Sequence, residues 1–567
     1  MNRLIVLFLI FSGFAFLASS CISSVDKSAI ATDSATIARG EQAFIEKCSG
    51  CHNFKMDGIG PQLGGVTSEV SVDWLQRFIH DPKTTIESGD KRAKELFEKF
   101  HAVMPSFASL ADGELNDIIA YLNTHQVKVE SKYDSTAIAD PIPAKIQVST
   151  LSLSLLPVVQ APPSVDSGKK PQARITAMVL QPGSSDLFIL DLRGKFYRLA
   201  NQHLSVYMDM ASLRPKFINQ PGLATGFGSF AFHPEFQKNG LVYTTHTEAA
   251  NSAKADFAFE DSIKPAMQWV LTEWKTDHPG AATFSGTGRE LLRINYTTGI
   301  HGVQEIIFNP YSKPGDEDYG LLYIGVGDGG CVENGWGHLT HSKEKIWGTV
   351  IRIDPAGRNG RNGQYGIPTG NPFVKAGGSH VLKEIYAYGF RNPHRITWTK
   401  AGQMLVSNVG QANIESLNLI QAGHDYGWPI REGNFLLNPF GDLTKVHPLA
   451  PDDSIYHVNY PVVEYDHDEG KAITGGYEYL GDAIPALKGK FLFGDIPSGR
   501  LFYVNVADLH QGTQAPIMEW KVTLNGVQKS LIEICGDNRV DLHFGRDGKG
   551  EIYIMTKADG RIYKLLP

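Results

Sequence analysis

Positive charge is not in excess in this sequence, and long apolar runs are absent beyond its first twenty residues. The 53 lysines and arginines are outnumbered by 60 aspartates and glutamates, which gives a net charge of −7. A nucleic-acid-binding protein needs a basic surface to neutralise phosphates, so nucleic acid is not expected as a partner. Glycine is abundant, with 58 residues, and this favours a turn-rich fold over a helical bundle.

The one long apolar run lies near the N-terminus, from Leu4 to Leu17, and follows Arg3. It is shorter than the ~20 residues of a membrane-spanning helix, so residues 1–21 are predicted to be a signal peptide. The small residues before Cys21 resemble a bacterial lipobox, which implies a lipid on Cys21; ordinary cleavage beside an uninvolved cysteine is the alternative. We therefore expect an exported periplasmic or cell-envelope lipoprotein, anchored to the membrane by lipid.

Composition divides the rest of the chain into four parts. Residues 22–36 form a short polar tether, and residues 37–126 have the pattern of a compact, mostly helical domain. Residues 127–172 are rich in Pro, Ser and Ala and are predicted to be a linker, whose end-to-end distance would be roughly 35–40 Å if it is flexible. In residues 173–567, short β-forming runs alternate with Gly, Asp, Asn and Pro.

A hairpin pattern recurs within this last part, at residues 186–199, 489–504 and 550–565. Each copy has a β-forming run, a tight turn with Asp and Gly, and a second β-forming run. Repeated antiparallel hairpins without long helical periodicity predict an all-β propeller, of about six blades. A β-sandwich is the alternative. The fold class expected is thus multidomain, with a small all-α domain followed by an all-β propeller.

The sequence Cys48-Ser49-Gly50-Cys51-His52 is the attachment motif of a covalent c-type haem. Two thiols at this spacing can bind the haem vinyl groups while the adjacent histidine reaches the iron. The turn at residues 58–61 follows the motif and is expected to offer a carbonyl to the second nitrogen of His52. The motif predicts an electron-transfer protein.

Residues 37–126 resemble class I cytochrome c over their full extent. The resemblance implies Met104, just before a final amphipathic helix, as the sixth iron ligand, with His80 and His101 as alternatives. A His/Met ligand pair raises the reduction potential, so the haem would suit accepting electrons. A downstream electron acceptor of the respiratory chain is then an expected partner.

A second group of chemistry-bearing residues lies in the predicted propeller. The run at residues 325–330 matches a dinucleotide fingerprint, but no helix pattern follows it, so we reject that reading. The region offers His301 in a loop, Asp328 after the next strand, and the pair Arg391-Asn392. A base, an orienting carboxylate and cationic groups are what oxidation by hydride removal needs.

Residues 173–567 resemble the soluble quinoprotein glucose and sorbosone dehydrogenase family. Members of that family form six-bladed propellers and use pyrroloquinoline quinone and calcium. The segments that carry the resemblance include FAFHPEF at 230–236, HGVQEIIFNP at 301–310, LYIGVGDGG at 322–330, GTVIRIDPAG at 348–357 and YGFRNPHR at 388–395.

The resemblance implies a role for each residue of this group. His301 would be the general base that takes the hydroxyl proton of the substrate, and Asp328 would hold its tautomer. Arg391 and Asn392 would lie against the quinone carbonyls. The remaining predicted contacts are backbone carbonyls of Gly410 and Gln411 to calcium, and side chains of Arg539 and Lys488 to the cofactor carboxylates.

Together these features predict oxidation of a sugar or other alcohol by hydride transfer to pyrroloquinoline quinone, with electrons passed to the haem. The alternative is a haem c electron-transfer lipoprotein whose propeller is a binding module without cofactor. Cys331 and Cys535 are either a disulfide, which an oxidising compartment would preserve, or two buried thiols.

Overall fold

The computed structural model describes residues 30–55, 57, 60–100, 103–128, 136–164, 171–220, 222, 224–375 and 378–567. The predicted signal peptide with Cys21, the first part of the tether, and His101 lie outside the described residues. Two bodies of structure follow each other along the chain: a small helical domain and a large β domain. Among the residues described, no helix combines the length and apolar character that crossing a membrane requires.

The helical domain is built around the packing of its first helix against its last. This contact is close because Gly40 has no side chain, since a Cβ atom there would lie 1.9 Å from the Asp117 carbonyl oxygen. Phe44 and Leu115 belong to the core between the two helices. The helices are α1 (Ser34–Lys47), α2 (Val66–Glu69), α3 (Val72–His80), α4 (Pro82–Glu87), α5 (Lys91–Phe100) and α6 (Asp112–Leu122).

The β domain consists mainly of short strands, and all of its strand pairs but β1 with β24 are antiparallel. Its described residues also form three short α-helices, at 210–213, 236–239 and 531–535, and four short 3₁₀ helices. The strands are β1 (Gln147–Gln160), β2 (Ile175–Leu180), β3 (Leu187–Asp191), β4 (Lys195–Ala200), β5 (His203–Asp209), β6 (Phe227–Phe232), β7 (Leu241–Ala249), β8 (Met267–Thr276), β9 (Gly286–Tyr296), β10 (Glu305–Phe308), β11 (Leu322–Val326), β12 (Thr349–Ile353), β13 (Ile385–Tyr388), β14 (Pro393–Trp398), β15 (Met404–Asn408), β16 (Ile414–Leu419), β17 (Arg431–Glu432), β18 (Phe435–Leu437), β19 (Val446–His447), β20 (Val463–Asp466), β21 (Ile473–Glu478), β22 (Lys490–Asp495), β23 (Leu501–Asn505), β24 (Met518–Leu524), β25 (Val527–Lys529), β26 (Leu542–Arg546), β27 (Ile552–Thr556) and β28 (Arg561–Leu566).

These strands form six blades in the part of the chain that the structure describes. Blades one to four are β2–β5, β6–β9, β10–β13 and β14, β15, β16 with β20. Blade five is β21–β24, blade six is β26–β28 with β1, and β17–β19 make a small separate sheet. The first strands of neighbouring blades contact each other around the ring, and between blades one and two the contact is made by β3 and β6. The six-bladed propeller predicted from the repeated hairpins is confirmed, and the three predicted hairpins are β3–β4, β22–β23 and β27–β28.

Strand β1 closes the ring and corrects the predicted linker, which included residues 147–160. It pairs antiparallel with β28, where Ser154 lies opposite Leu566, and parallel with β24. Leu153 and Leu155 are buried in the core of these blades. The Ser and Pro content of this segment favoured a linker. Pro157 is tolerated in β1 because the pairing register between β1 and β28 shifts directly after it, and proline within a sheet is found at such irregularities.

The order of the strands sets where each loop lies. Since neighbouring strands within a blade run antiparallel, the loop entering a first strand and the loop joining the second strand to the third lie on one face of the propeller. We call this the site face. The connection between first and second strands lies on the opposite face.

Candidate active site

His301 and Asp328 meet on the site face of blade three. His301 lies in the loop that enters β10, and Asp328 follows β11. The Nδ1 atom of His301 lies 2.8 Å from Oδ1 of Asp328, and both side chains are buried. Asp328 Oδ1 also accepts the Gly330 N–H at 2.9 Å, and its Oδ2 accepts the indole N–H of Trp428 at 3.0 Å.

The backbone around this pair is tightly constrained. His301 adopts a left-handed conformation with φ of 50°, which is uncommon for a residue with a side chain. Gly327 passes so close that a Cβ atom there would lie 2.1 Å from the His301 carbonyl oxygen. The glycine-rich run at 325–330 therefore lets the chain pack against the histidine loop, which is a structural reason for the pattern that resembled a dinucleotide fingerprint.

Arg391 joins the same cluster from the loop that enters β14. Its carbonyl accepts the Asp328 N–H at 2.8 Å, and its guanidinium carbon lies 5.8 Å from the centre of the Trp428 ring. The structure therefore brings together His301, Asp328 and Arg391, as predicted. Asn392 is also buried beside them, and its N–H donates to Oδ1 of Asn408 at 3.0 Å.

The guanidinium of Arg391 is almost completely buried and bonded on three sides. It donates to Oε1 of Glu333 at 2.7 Å, to Oε1 of Gln411 at 2.9 Å and to the Gly410 carbonyl at 2.5 Å. Glu333, buried too, neutralises the arginine, as a buried charge requires. Sequence reasoning missed Glu333, although its position five residues after Asp328 was a usable signal.

Glu432, which sequence reasoning also missed, shapes the turn next to Arg391. Its Oε1 accepts the backbone N–H groups of Gln411, Ala412, Asn413 and Ile414 at 2.7–3.1 Å. One buried carboxylate thus satisfies four donors that would otherwise be unpaired. It holds Gly410 and Gln411 against the arginine.

The haem attachment motif lies at the end of α1. The ring of His52 is oriented by the Pro61 carbonyl, 2.8 Å from Nδ1, which is the hydrogen bond expected from the turn after the motif. Gly60 lies against this ring, since a Cβ atom there would be 2.4 Å from Cε1 of His52. Burial lowers the pKa of His52, which favours the neutral imidazole. Met104 is half-buried in the same domain.

The attachment motif contacts the site face of the propeller. Nδ2 of Asn334 donates to the Ser49 carbonyl at 3.1 Å and to the Gly330 carbonyl at 2.9 Å. A Cβ atom on Gly50 would lie 3.0 Å from Cγ2 of Ile300. Burial, with the nearby charge of Glu333, raises the pKa of Cys51 to about 12. The Cys51 end of the motif therefore lies beside the cluster of His301.

Comparison with known families identifies both parts. The family described as Glucose / Sorbosone dehydrogenase matches residues 212–564, which is more than half of the chain. The chain belongs to the glucose/sorbosone dehydrogenase family. The family described as Cytochrome c matches residues 37–126, so the helical domain is a cytochrome c domain with the boundaries predicted from the sequence. We call it the cytochrome domain below.

Individual relatives are distant. The HIPL1 protein of Arabidopsis thaliana is 27% identical over 58% of this chain and 52% of its own length. The aldose sugar dehydrogenase YliI of Escherichia coli is 22% identical over 59% and 75%. The apo-form structure of the soluble aldose sugar dehydrogenase (Asd) from Escherichia coli is 16% identical, with a TM-score of 0.49, and the match covers 73% of this chain and 99% of that chain. The chain spans about half the length of the first curated relatives it matches.

The calcium site that the family resemblance implied does not fit the residues as they lie. The Gly410 carbonyl already accepts a hydrogen bond from the Arg391 guanidinium at 2.5 Å. A cation bound to the same oxygen would face that positive charge at close range. Among the described residues, no group of three or more acidic, histidine or cysteine side chains is arranged to hold a metal ion.

A group of buried cations fits an anionic ligand much better. Burial lowers the pKa of Lys557 to about 8 and that of Arg174 to about 10. Arg539 lies close enough to affect both groups and donates to Oδ1 of Asp541 at 2.7 Å. In the part of the chain that the structure describes, Nε of Arg174 and both ring nitrogens of His543 have no hydrogen-bond partner. Burial lowers the pKa of His543, and a neutral imidazole has one N–H donor. That N–H and the Nε–H of Arg174 are unpaired buried donors that suit the carboxylates of a bound ligand.

Lys488 does not join this group. It lies in the connection between the first and second strands of blade five, on the face opposite the site. Its ammonium pairs with Asp482 at 2.7 Å, and both side chains are exposed. Among the described cysteines, Cys331 is buried and forms no disulfide, so the bridge to Cys535 left open by the sequence is not formed.

Proposed function

We propose that this protein oxidises an alcohol group of a sugar at His301 and delivers the electrons to the haem of its cytochrome domain. The observation that carries the proposal is the buried pair of His301 and Asp328 beside Arg391, directly beneath the haem attachment motif. Membership of a family of sugar dehydrogenases supports the same reaction class. The aldose sugar dehydrogenase of Escherichia coli suggests an aldose as the first substrate to test.

His301 would accept the proton of the substrate hydroxyl. A carboxylate accepts, so the contact with Asp328 favours the tautomer with the proton on Nδ1, and Nε2 of the neutral ring would then keep a free lone pair. Asp328 is oriented in turn by the Gly330 N–H and the Trp428 indole. Three bonds therefore hold one tautomer in place, and the imidazolium that forms on proton transfer would be stabilised by the adjacent carboxylate.

Two redox groups complete the proposal. When bound, pyrroloquinoline quinone would supply a two-electron acceptor for the hydride, and a c-type haem would supply a one-electron carrier. Each sugar oxidised would therefore give one proton to His301 and one hydride to the acceptor. The proton that the hydride carries would be released as its two electrons pass, one at a time, to an outside one-electron acceptor. The quinone would be held by Arg391, Asn392, Arg539, Lys557 and Arg174, and the haem by Cys48, Cys51, His52 and Met104.

The decisive experiment is a haem-reduction screen on the purified full-length protein. Aldoses, polyols and simple alcohols would be added with and without pyrroloquinoline quinone, and reduction followed by the haem absorbance. We expect an aldose to reduce the haem only after quinone is added. If quinone binds but no sugar or alcohol reduces the haem, the enzyme proposal fails.

A second candidate is a propeller that binds a partner without cofactor chemistry. It is favoured by the Arg391–Glu333 ion pair, which already satisfies the guanidinium meant for the quinone. The curated relatives also include the mouse Hedgehog-interacting protein, 24% identical over 69% of this chain and 51% of its own length. Quinone titration separates the two, because a binding module should take up no stoichiometric quinone. Export and lipidation at Cys21 stay predictions from the sequence.

The pH dependence of quinone binding should reveal the loss of the proton from the Lys557 ammonium. An anionic ligand binds the protonated ammonium, and the free protein loses that proton as the pH rises through about 8. We therefore expect quinone affinity to fall above pH 8, by up to about tenfold per pH unit for one linked proton. Titrations from pH 6.5 to 9.5 would measure it.

The Lys557→Gln variant should bind quinone more weakly and lose this pH dependence. The matched control is Lys549→Gln, because Lys549 is an exposed lysine of the same blade in the turn between β26 and β27, on the face opposite the site. This variant should behave like the unaltered protein. An unchanged pH profile in Lys557→Gln would show that another group is responsible.

A further inference from the structure

We propose that the cytochrome domain is a reversible cover on the mouth of the propeller, and that Asn334 positions its haem attachment loop there. By the mouth we mean the centre of the site face, where His301, Arg391 and Arg539 lie. The proposal rests on the proposed function and adds to it how the substrate and the haem share one entrance.

Three polar contacts hold the cytochrome domain around the mouth. Asn334 links the Ser49 carbonyl of the attachment motif to the Gly330 carbonyl beside Asp328. Nζ of Lys264 lies 2.5 Å from Oε2 of Glu41 on α1. The third contact is on α4, where Nζ of Lys83 lies 3.3 Å from Oδ2 of Asp537.

These contacts lie on opposite sides of the propeller. Lys264 precedes β8 in blade two, Asn334 follows β11 in blade three, and Asp537 precedes β26 in blade six. Blades three and six face each other in a ring of six. A domain bonded to both must span the centre of the site face, so the cytochrome domain covers the mouth.

Two of the three side chains that define the mouth are almost inaccessible in this arrangement, whereas the Arg539 side chain is 39% exposed. His301 is 6% exposed and Arg391 only 2%. A sugar approaching from the site face cannot reach His301 while the cytochrome domain is in place. The same arrangement keeps the attachment motif next to the cluster of His301, which suits electron transfer.

The contacts are too weak to make the cover permanent. The side chains of Lys264 and Lys83 are about half exposed, at 51% and 50%. Ion pairs in such positions contribute little and are screened by salt. The Asn334 bond is between neutral groups, so it adds direction more than strength. We therefore infer that the cytochrome domain lifts to admit the substrate and returns to receive electrons.

Zero-length cross-linking tests the docked arrangement without any turnover. A carbodiimide joins an ammonium to a carboxylate only when the two are in contact. In low salt we expect the monomeric protein to yield peptides joining Lys264 to Glu41 and Lys83 to Asp537, identified by mass spectrometry. Both yields should fall severalfold in 1 M salt, where the screening length is about 3 Å.

The propeller provides an internal standard for this measurement. Lys195 and Asp209 lie 2.6 Å apart within blade one, so their cross-link should form whether or not the cytochrome domain is docked. The Lys264→Gln variant should lose its own cross-link and keep that standard. Absence of both interdomain cross-links in low salt, with the standard present, would overturn the proposal.

The cover is tested by comparing the dye-coupled rates of sugar oxidation by cross-linked and untreated protein, both loaded with quinone. Cross-linked protein should oxidise sugar at least tenfold more slowly than untreated protein when a small dye is the acceptor. Treated Lys264→Gln/Lys83→Gln, which cannot form either interdomain link, controls for damage by the reagent. Equal rates in the cross-linked and untreated proteins would overturn the cover.

Asn334→Ala tests the positioning role. The variant loses both hydrogen bonds of Asn334, of which the one to Ser49 joins the two domains. This should slow haem reduction by sugar on the order of fivefold to tenfold, while the dye-coupled rate holds or rises. Asn334→Gln, which keeps the amide donor, should recover part of the haem rate. A parallel fall of both rates in Asn334→Ala would contradict positioning. If cross-links form but no sugar reduces dye or haem, the proposed function fails while the docking stands.

Discussion

Replacing His301 with asparagine should lower sugar oxidation by about 100- to 10,000-fold, the contribution usual for a general base. Asparagine is chosen because it tolerates the left-handed backbone conformation that His301 adopts, with φ of 50°. The variant therefore removes the base without straining the loop. The measurement is the steady-state rate with a dye acceptor, together with quinone affinity. We expect kcat to fall and quinone binding to remain, because His301 acts on the substrate proton.

A matched control for this variant exists in the same protein. His341 also has a left-handed backbone, with φ of 51°, and also bonds a carboxylate, with Nε2 2.7 Å from Oδ2 of Asp425. His341→Asn should keep most of the activity. Equal losses in His301→Asn and His341→Asn would show that the effect is structural. Wild-type activity in His301→Asn would remove the general base from the proposal.

Removing both attachment thiols, in Cys48→Ser/Cys51→Ser, should abolish covalent haem. The two thioether bonds are the only covalent links that the attachment motif can make to the haem vinyl groups, so none can form without the thiols. Haem that remains with the polypeptide after denaturation and acid extraction measures this directly. Delivery of electrons from sugar to a protein acceptor should be lost with it, whereas dye-coupled sugar oxidation should fall far less.

Cys331→Ala is the control for the haem measurement. Cys331 is a buried thiol that forms no disulfide among the described residues, and it lies outside the attachment motif. This variant should carry a full complement of covalent haem. Covalent haem persisting in Cys48→Ser/Cys51→Ser would contradict the assignment of the motif. Loss of dye-coupled oxidation in step with haem would mean that the propeller cannot work without the cytochrome domain.

Local sequence patterns were enough to predict much of the fold and part of the candidate site. The motif at 48–52 needs only neighbouring residues, so it could be recognised without knowledge of folding. The hairpins at 186–199, 489–504 and 550–565 were equally local, because alternation and turn chemistry act within a few residues. His301 and Asp328 were predicted as partners because they occupy positions known from the family resemblance, and the structure brings them to 2.8 Å.

Other features could not be predicted because they depend on distant parts of the chain. Strand β1 has the composition of a linker and becomes a strand only because β28, some 400 residues later, offers an unpaired edge. Lys488 lies between the first and second strands of blade five, on the face opposite the site. The sequence could not show this, because the face on which a loop lies depends on the direction of β21 in the closed ring. The position of Glu333, five residues after Asp328, was a local signal, but its pairing with Arg391 depends on how blades three and four pack together.

By itself, the sequence determined the chemistry available: two thiols and a histidine for haem, a base with its carboxylate, and an alternating pattern that forms blades. Only the tertiary structure decided which of these groups share one place. In the closed ring, loops of blades two, three and six lie on the same face. The contacts of Lys83, Lys264 and Asn334 hold the haem attachment motif over that face. The physical reason is that residue spacing controls neighbours within a turn or a strand, whereas contacts hundreds of residues apart depend on how the blades close.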